Sequence, residues 1–177
     1  MLSILLFSAA WVACLAESNE FASYSPAVGS GHGTPFLSSG EGILTGVKVW
    51  EVPNSHIAGI QLRHDNNWGV LLGLISTHEL SIDLFEGETI TQVSGKYNPK
   101  DRICQLIFET SMGRALIAGQ PIQVSFNFYP HHMEEELRML SGTFDTIGIT
   151  SLGAHWGIVA LEGTNQTFKM NTTELHV

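Results

Sequence analysis

The residues best placed to do chemistry lie in two short stretches far apart in the chain. The first, Gly29-Ser-Gly-His-Gly-Thr-Pro-Phe36, carries glycine at 29, 31 and 33. The second, Leu140 to Trp156, reads L-S-G-T-F-D-T-I-G-I-T-S-L-G-A-H-W. Glycines on alternate positions let the backbone adopt φ > 0 and turn its amides outward where a side chain would block access. Such a loop can hold an anion or a polar ligand such as a sugar. The same spacing also suits an ordinary turn ahead of a strand.

Other chemistries find less support. No G-x-S-x-G, H-E-x-x-H or P-loop occurs, and paired carboxylates fall only in expected loops or on exposed strand faces, so no enzyme is expected. His131-His132 precedes Glu134, Glu135 and Glu136, a chemically possible surface Zn²⁺ or Cu²⁺ site. Adjacent residues seldom converge on one ion, so no metal or other cofactor is expected. His32, His64, His78 and His155 are scattered and read as surface or packing residues.

These loops need a scaffold, and the composition indicates its class. The 177 residues suit one domain, and 18 glycines among many Val, Ile, Thr and Phe favour a β-rich chain. Strands are expected over 43–50, 57–64, 68–74, 79–85, 89–94, 103–110, 114–118, 121–128, 137–141 and 148–156, with turns or loops between them. Residues 133–140 lack a sustained apolar stripe and read as a solvated loop rather than a helix. The pattern is all-β: a sandwich, a barrel or a prism.

The formal net charge of −9, with only eight scattered Lys and Arg, argues against nucleic acid and other polyanions. Residues 1–16 read as a signal peptide, with an uncharged apolar run from Leu2 to Leu15 and the small residue Ala16. No later segment is long and apolar enough to span a bilayer, so no membrane insertion is expected. Asn165-Gln-Thr167 and Asn171-Thr-Thr173 are candidate N-glycosylation sites in a polar tail. Removal of the signal leaves Cys104 as the one cysteine, expected as a buried thiol or, alternatively, in an intermolecular disulfide.

The chain resembles the jacalin-related lectins, of the animal secretory and salivary type represented by zymogen granule protein 16. The matching stretches are 29–36, Leu44-Thr-Gly-Val-Lys-Val49, Gly59-Ile-Gln-Leu-Arg63 and Glu88-Thr-Ile-Thr-Gln-Val-Ser-Gly-Lys-Tyr97, continuing with Leu106-Ile-Phe108, Gly113-Arg114, Gly119 and Leu152-Gly-Ala-His-Trp156. No single piece is specific, but their order and spacing are. The resemblance implies a β-prism I of three four-stranded antiparallel sheets. It implies a layout of signal peptide 1–16, loose lead-in 17–27, lectin domain 28–159 and polar tail 160–177. It also implies a sugar site without metal or catalysis, so the expected partners are glycans or glycoproteins.

By that resemblance the sugar meets Gly31, His32 and Gly33 on one side and a G-x-x-x-D loop on the other. Here the carboxylate position is Thr150, after Gly148 and Ile149, and the leading glycine position is Thr146. A Thr hydroxyl carries no charge and cannot chelate two hydroxyls. Losing a charged hydrogen-bond partner costs about 1.5–3 kcal/mol, or roughly one to two decades of affinity. A mannose-type site is therefore expected to be degraded or altered. Asp145 could supply an acid if the loop is rearranged, although it reads first as a turn aspartate. Tyr97 could stack on a sugar, with Asn98 and Asp101 bonding to it, or the 96–102 stretch is a solvated hairpin loop.

Two further readings in the group are weaker here. The loop positions that are basic in glycosaminoglycan-binding members are Thr34 and Pro35. A polyamine could be drawn to the loop acids, but the long acidic tail of the spermine-binding relatives is missing. The sequence thus predicts a secreted, non-catalytic carbohydrate-binding protein. The alternative is a secreted protein-interaction module on the same fold that has lost sugar binding.

Overall fold

The computed structural model describes residues 22–38 and 40–158. The expected signal peptide and both sequons lie outside these residues. Thirteen strands and no helix are present among the described residues: β1 (Ala22–Gly29), β2 (Thr34–Leu37), β3 (Leu44–Val52), β4 (His56–His64), β5 (Asn67–Trp68), β6 (Leu72–Gly73), β7 (His78–Asp83), β8 (Ile90–Tyr97), β9 (Ile103–Thr110), β10 (Ala115–Gly119), β11 (Val124–Phe128), β12 (Glu136–Phe144) and β13 (Ile149–Gly157).

They form three antiparallel sheets with one plan. In the first, the order is β1-β13-β12-β2; in the second, β5-β4-β3-β7, with β6 also on β4; in the third, β10-β9-β8-β11. Each sheet is an inner hairpin flanked by two outer strands. The three inner faces meet on one core. Ile57, Ile60, Leu62, Val93, Leu106, Phe108, Leu137, Leu140, Leu152 and Trp156 are almost fully buried in it. Strand alternation sorts these side chains inward and leaves polar neighbours such as Arg63 and Glu109 outside. The result is the expected β-prism.

Three expectations about elements change. Residues 22–27 belong to β1 instead of forming a loose lead-in: Ala22 to Ser25 pair with Gly157 to Ala154, and Val28 pairs with Leu152 across a bulge. β1 is an edge strand, so it tolerates Pro26 at that bulge and needs no continuous apolar face. The expected strand over 68–74 is broken into β5 and β6, which residues 69–71 separate, and Gly73 ends β6 at φ +94, where a Cβ would strike the Ala58 carbonyl. Finally, Gly95 to Tyr97 continue β8. Gly95 is there for close packing and not for a turn, since a Cβ would strike the Gln105 carbonyl and the Phe126 ring.

Cys104 is a buried free thiol, and burial pushes its pKa up. Among the described residues, no helix is long and apolar enough to cross a membrane, and no group of three or more His, Cys, Asp or Glu is arranged to hold a metal ion.

Candidate functional site

The first sheet brings the two glycine-bearing stretches together. The 30–33 loop joins its outer strands β1 and β2; the 145–148 loop closes its inner hairpin β12–β13. Phe144 pairs with both Thr34 and Ile149, which sets the two loops side by side. Gly33 lies at φ +104, and a Cβ there would run into the Phe144 carbonyl. Only glycine permits that approach. Gly31, at φ +73, faces open space.

The backbone N–H groups of Gly31, His32 and Gly33 make no hydrogen bond to another described residue, and all three residues are exposed. They form a short row of donors suited to an electronegative oxygen. Ser30 fixes the row from behind: its N–H donates to the Thr150 carbonyl at 3.0 Å and its hydroxyl to the Asp101 carbonyl at 2.5 Å. The second contact ties the glycine loop to the 98–102 loop of the third sheet. The Ser30 proton is then committed, so Ser30 Oγ accepts from His32 Nδ1 at 2.7 Å.

Thr150 is fully buried and points under the glycine loop. Its hydroxyl donates to the His32 carbonyl at 2.5 Å, and it shares a 2.7 Å bond with the Thr143 hydroxyl. Thr143 in turn shares a 2.7 Å bond with Ser151. With the Thr150 proton given to His32, the chain of donation runs Ser151 to Thr143 to Thr150 to the loop. The group at the position where a carboxylate was expected is therefore a strut within the protein.

The nearby carboxylate is Asp145. Its Oδ1 accepts from the backbone N–H of Ile147 at 2.8 Å, of Gly148 at 2.9 Å, and from Arg102 Nη1 at 3.1 Å. Its Oδ2 faces His32 Nε2 at 3.2 Å. One oxygen shapes the turn while the other reaches the glycine loop. Burial raises the Asp145 pKa. The donors from Gly148, Ile147, Arg102 and His32 outweigh that effect and hold it well below the usual carboxylate range. The site thus keeps a firmly ionised acid beside its exposed amides.

The remaining sequence candidates take different places. Ile149 is buried in the core, so only its backbone is available, and Gly148 is buried beneath the β3–β4 turn beside His56. Tyr97 packs edge-on against Phe126, 6.1 Å between ring centres, and is half-buried. Asn98 caps its own loop, accepting from the Lys100 N–H at 3.0 Å. Gly31, His32, Gly33, Asp145 and Thr150 do come together; Tyr97, at the end of β8, and Asn98, on the loop that Ser30 ties in, stand to the side. Ser30 and Arg102 were missed as organisers. Both act on partners distant in sequence, 71 and 43 residues away, which local patterns do not reveal.

Comparison with known proteins places this geometry among relatives. The model of the jacalin-like lectin domain matches residues 25–155. The human protein "Zymogen granule membrane protein 16" is 35% identical over 161 residues, covering 89% of this chain and 92% of that protein. A solved prostate-specific WGA16 glycoprotein lectin superposes with a TM-score of 0.68 at 26% identity, over 78% of this chain and all of that one. Artocarpin in complex with mannopentose, at 17% identity and a TM-score of 0.64 over 80% of this chain and all of that one, shares the fold.

Proposed function

The chain belongs to the jacalin-like lectin family, and on that premise we propose that it is a secreted carbohydrate-binding protein with an altered version of the glycine-loop site. Proteins of this family bind sugars without catalysis. The exposed amides of Gly31, His32 and Gly33 donate to sugar oxygens. Asp145, reaching the loop through His32, takes the place of the missing carboxylate at Thr150 as acceptor of a hydroxyl proton. Ile147, 52% exposed on the same hairpin, offers an apolar contact for the C–H face of a ring. The observation that carries this reading is the 3.2 Å contact between Asp145 and His32, which sets an ionised carboxylate against the row of loop donors.

Charge-assisted bonds of this kind are roughly twice as strong as neutral ones. Asp145 spends most of its capacity on the protein, however, and its Oδ1 already has three donors. Fewer acceptor sites remain for a sugar than a free carboxylate would give, which favours weak binding with changed specificity. A glycan array probed with the mature protein tests this, with Asp145→Asn alongside. Binding by the parent and its loss in the variant support the reading; a folded parent that binds no glycan overturns it.

The buried, internally bonded Thr150 favours a second reading, a secreted protein-interaction module that no longer uses the sugar site. The two separate in a pull-down from secretory fluid. Free monosaccharide releases the partners of a lectin and leaves those of a protein binder in place.

A further inference from the structure

The outer strands of each sheet turn unpaired N–H and C=O groups outward, where they can template pairing with another chain. Most of these edges are blunted. β1 carries Pro26 at a bulge, β2 carries Pro35, and β5 and β6 are only two residues long. β7 holds Glu79 and Asp83, paired with Lys48 at 3.3 Å and Arg63 at 2.8 Å. β10 leans on β3, β4 and β7 of the second sheet, and the Glu51 carboxylate accepts the Gly119 N–H at its end.

β11 has none of these devices. It pairs with β8 on one side and, among the described residues, with no strand on the other. Residues 122–129 read Ile-Gln-Val-Ser-Phe-Asn-Phe-Tyr, without charge, glycine or proline, and Pro121 and Pro130 bracket them. Phe126 and Phe128 are buried in the core, while Ser125 and Asn127 face solvent. Ile122, Val124 and Tyr129 are about half exposed although apolar. An uncharged window of high β-propensity is the kind of segment that pairs with copies of itself. Natural edges of this kind are ordinarily guarded by a charge, a bulge or a proline.

The occupant that fits is a second copy of the chain. At a net charge of −9, two copies repel over most of their surface, and an uncharged edge is where they can approach. Lys96, on β8, donates to Ser125 Oγ at 2.7 Å. Across a paired edge it stands three strand spacings, about 14 Å, from its counterpart, beyond the Debye length of about 8 Å. Antiparallel pairing of β11 with itself is an isologous two-fold contact; it uses up both edges and stops at a dimer. Centred on Phe126, it sets Ser125 opposite the second copy's Asn127, a hydroxyl–amide pair on the outer face. It sets Val124 opposite the second copy's Phe128, an apolar pair on the inner face. Both are kinds of cross-strand pair that stabilise sheets.

We propose that β11 is a self-association edge through which two copies join their third sheets into one eight-stranded sheet. The strand is five residues long, which suits a weak and reversible dimer. Two glycine-loop sites on one dimer would hold a multivalent glycan more tightly than one site does. That gain rests on the sugar reading; the dimer itself does not.

Sedimentation equilibrium of the mature protein without sugar tests the proposal. A monomer–dimer equilibrium with a dissociation constant of about 1–100 µM is expected. Ser125→Lys and Asn127→Lys each put a cation into the paired edge from a solvent-facing position, so the monomer should keep its fold, as thermal melting checks. Each should weaken dimerisation by about tenfold or more. In the parent, hydrogen exchange at the β11 amides that face away from β8 should slow as concentration rises through that range, while the 30–33 loop should not change. This readout needs no variant, so it decides even where a variant fails to fold. A parent that stays monomeric up to about 1 mM, β11 exchange that ignores concentration, or a dimer of unchanged strength in both folded lysine variants overturns the proposal.

Discussion

The Thr150 hydroxyl donates to the His32 carbonyl at 2.5 Å, so the position expected to offer a carboxylate to sugar instead braces the glycine loop from below. A single change at this position therefore does not simply restore a family site.

Thr150→Asp tests that point. It would place a carboxylate at a fully buried position, facing a carbonyl oxygen that cannot donate to it. The Thr143 hydroxyl would be its one remaining donor, and a buried charge so incompletely paired costs about 3–5 kcal/mol. At roughly 2–4 °C per kcal/mol for a chain of this size, Tm should fall by about 6 °C or more. Thr150→Val keeps the shape and loses the hydroxyl bonds, so it should cost only about 1–3 kcal/mol. Thermal melts of both variants check the order.

The two loop glycines should respond differently to alanine. At Gly31 a methyl group meets nothing, and the penalty is that of φ +73, about 1–2 kcal/mol. At Gly33 the methyl also collides with the Phe144 carbonyl, so Gly33→Ala should be clearly the less stable of the two in urea unfolding. Gly31→Ala is accordingly the better probe of ligand binding at the loop.

Arg102→Met should loosen two loops at once. The buried guanidinium bonds to Asp101 and Asp145, and hydrogen bonds to charged groups contribute about 1.5–3 kcal/mol each. The expected loss is at least about 2 kcal/mol by urea unfolding. The Asp145 carboxyl should also titrate at higher pH in this variant, as followed by ¹³C shifts of its side chain.

Acid should destabilise the fold in a defined direction. Burial raises the pKa values of Asp145, Glu88 and Glu135, but their hydrogen-bond donors outweigh it, and all three lie below their ordinary values. The donors to Glu88 come from Phe85, Thr110 and Arg114; those to Glu135 come from Ser23, His132 and His131. Unfolded, these carboxyls titrate near about pH 4. The stability they contribute is complete above that range and is lost as pH falls through it toward the depressed folded values. Glu136 is shifted the other way, chiefly by burial, and opposes this trend slightly. Urea midpoints should drop from pH 5 to pH 2, and less steeply in Asp145→Asn.

Much of the fold was legible because apolar alternation, as in Ile60 and Leu62 or Leu80 and Ile82, marks a strand with one face on a core. β1 was not legible: its edge position supplies the pairing that its polar sequence does not announce. Of the site, the glycine loop could be seen because glycine is a local signal. Asp145 read as either a turn residue or a pocket acid, and its two oxygens divide between these tasks. The inward direction of Thr150, and the bridges made by Ser30 and Arg102, depend on how one sheet faces another, which spacing along one chain does not encode.

The most direct test is calorimetric titration of the mature protein with the strongest glycan from an array, beside Gly31→Ala and Asp145→Asn. Saccharide binding should be measurable in the parent and at least about tenfold weaker in both variants, with each variant still melting cooperatively. A parent that binds sugar with undiminished affinity in both folded variants would place the site elsewhere on the prism and contradict the role assigned to the glycine loop and Asp145.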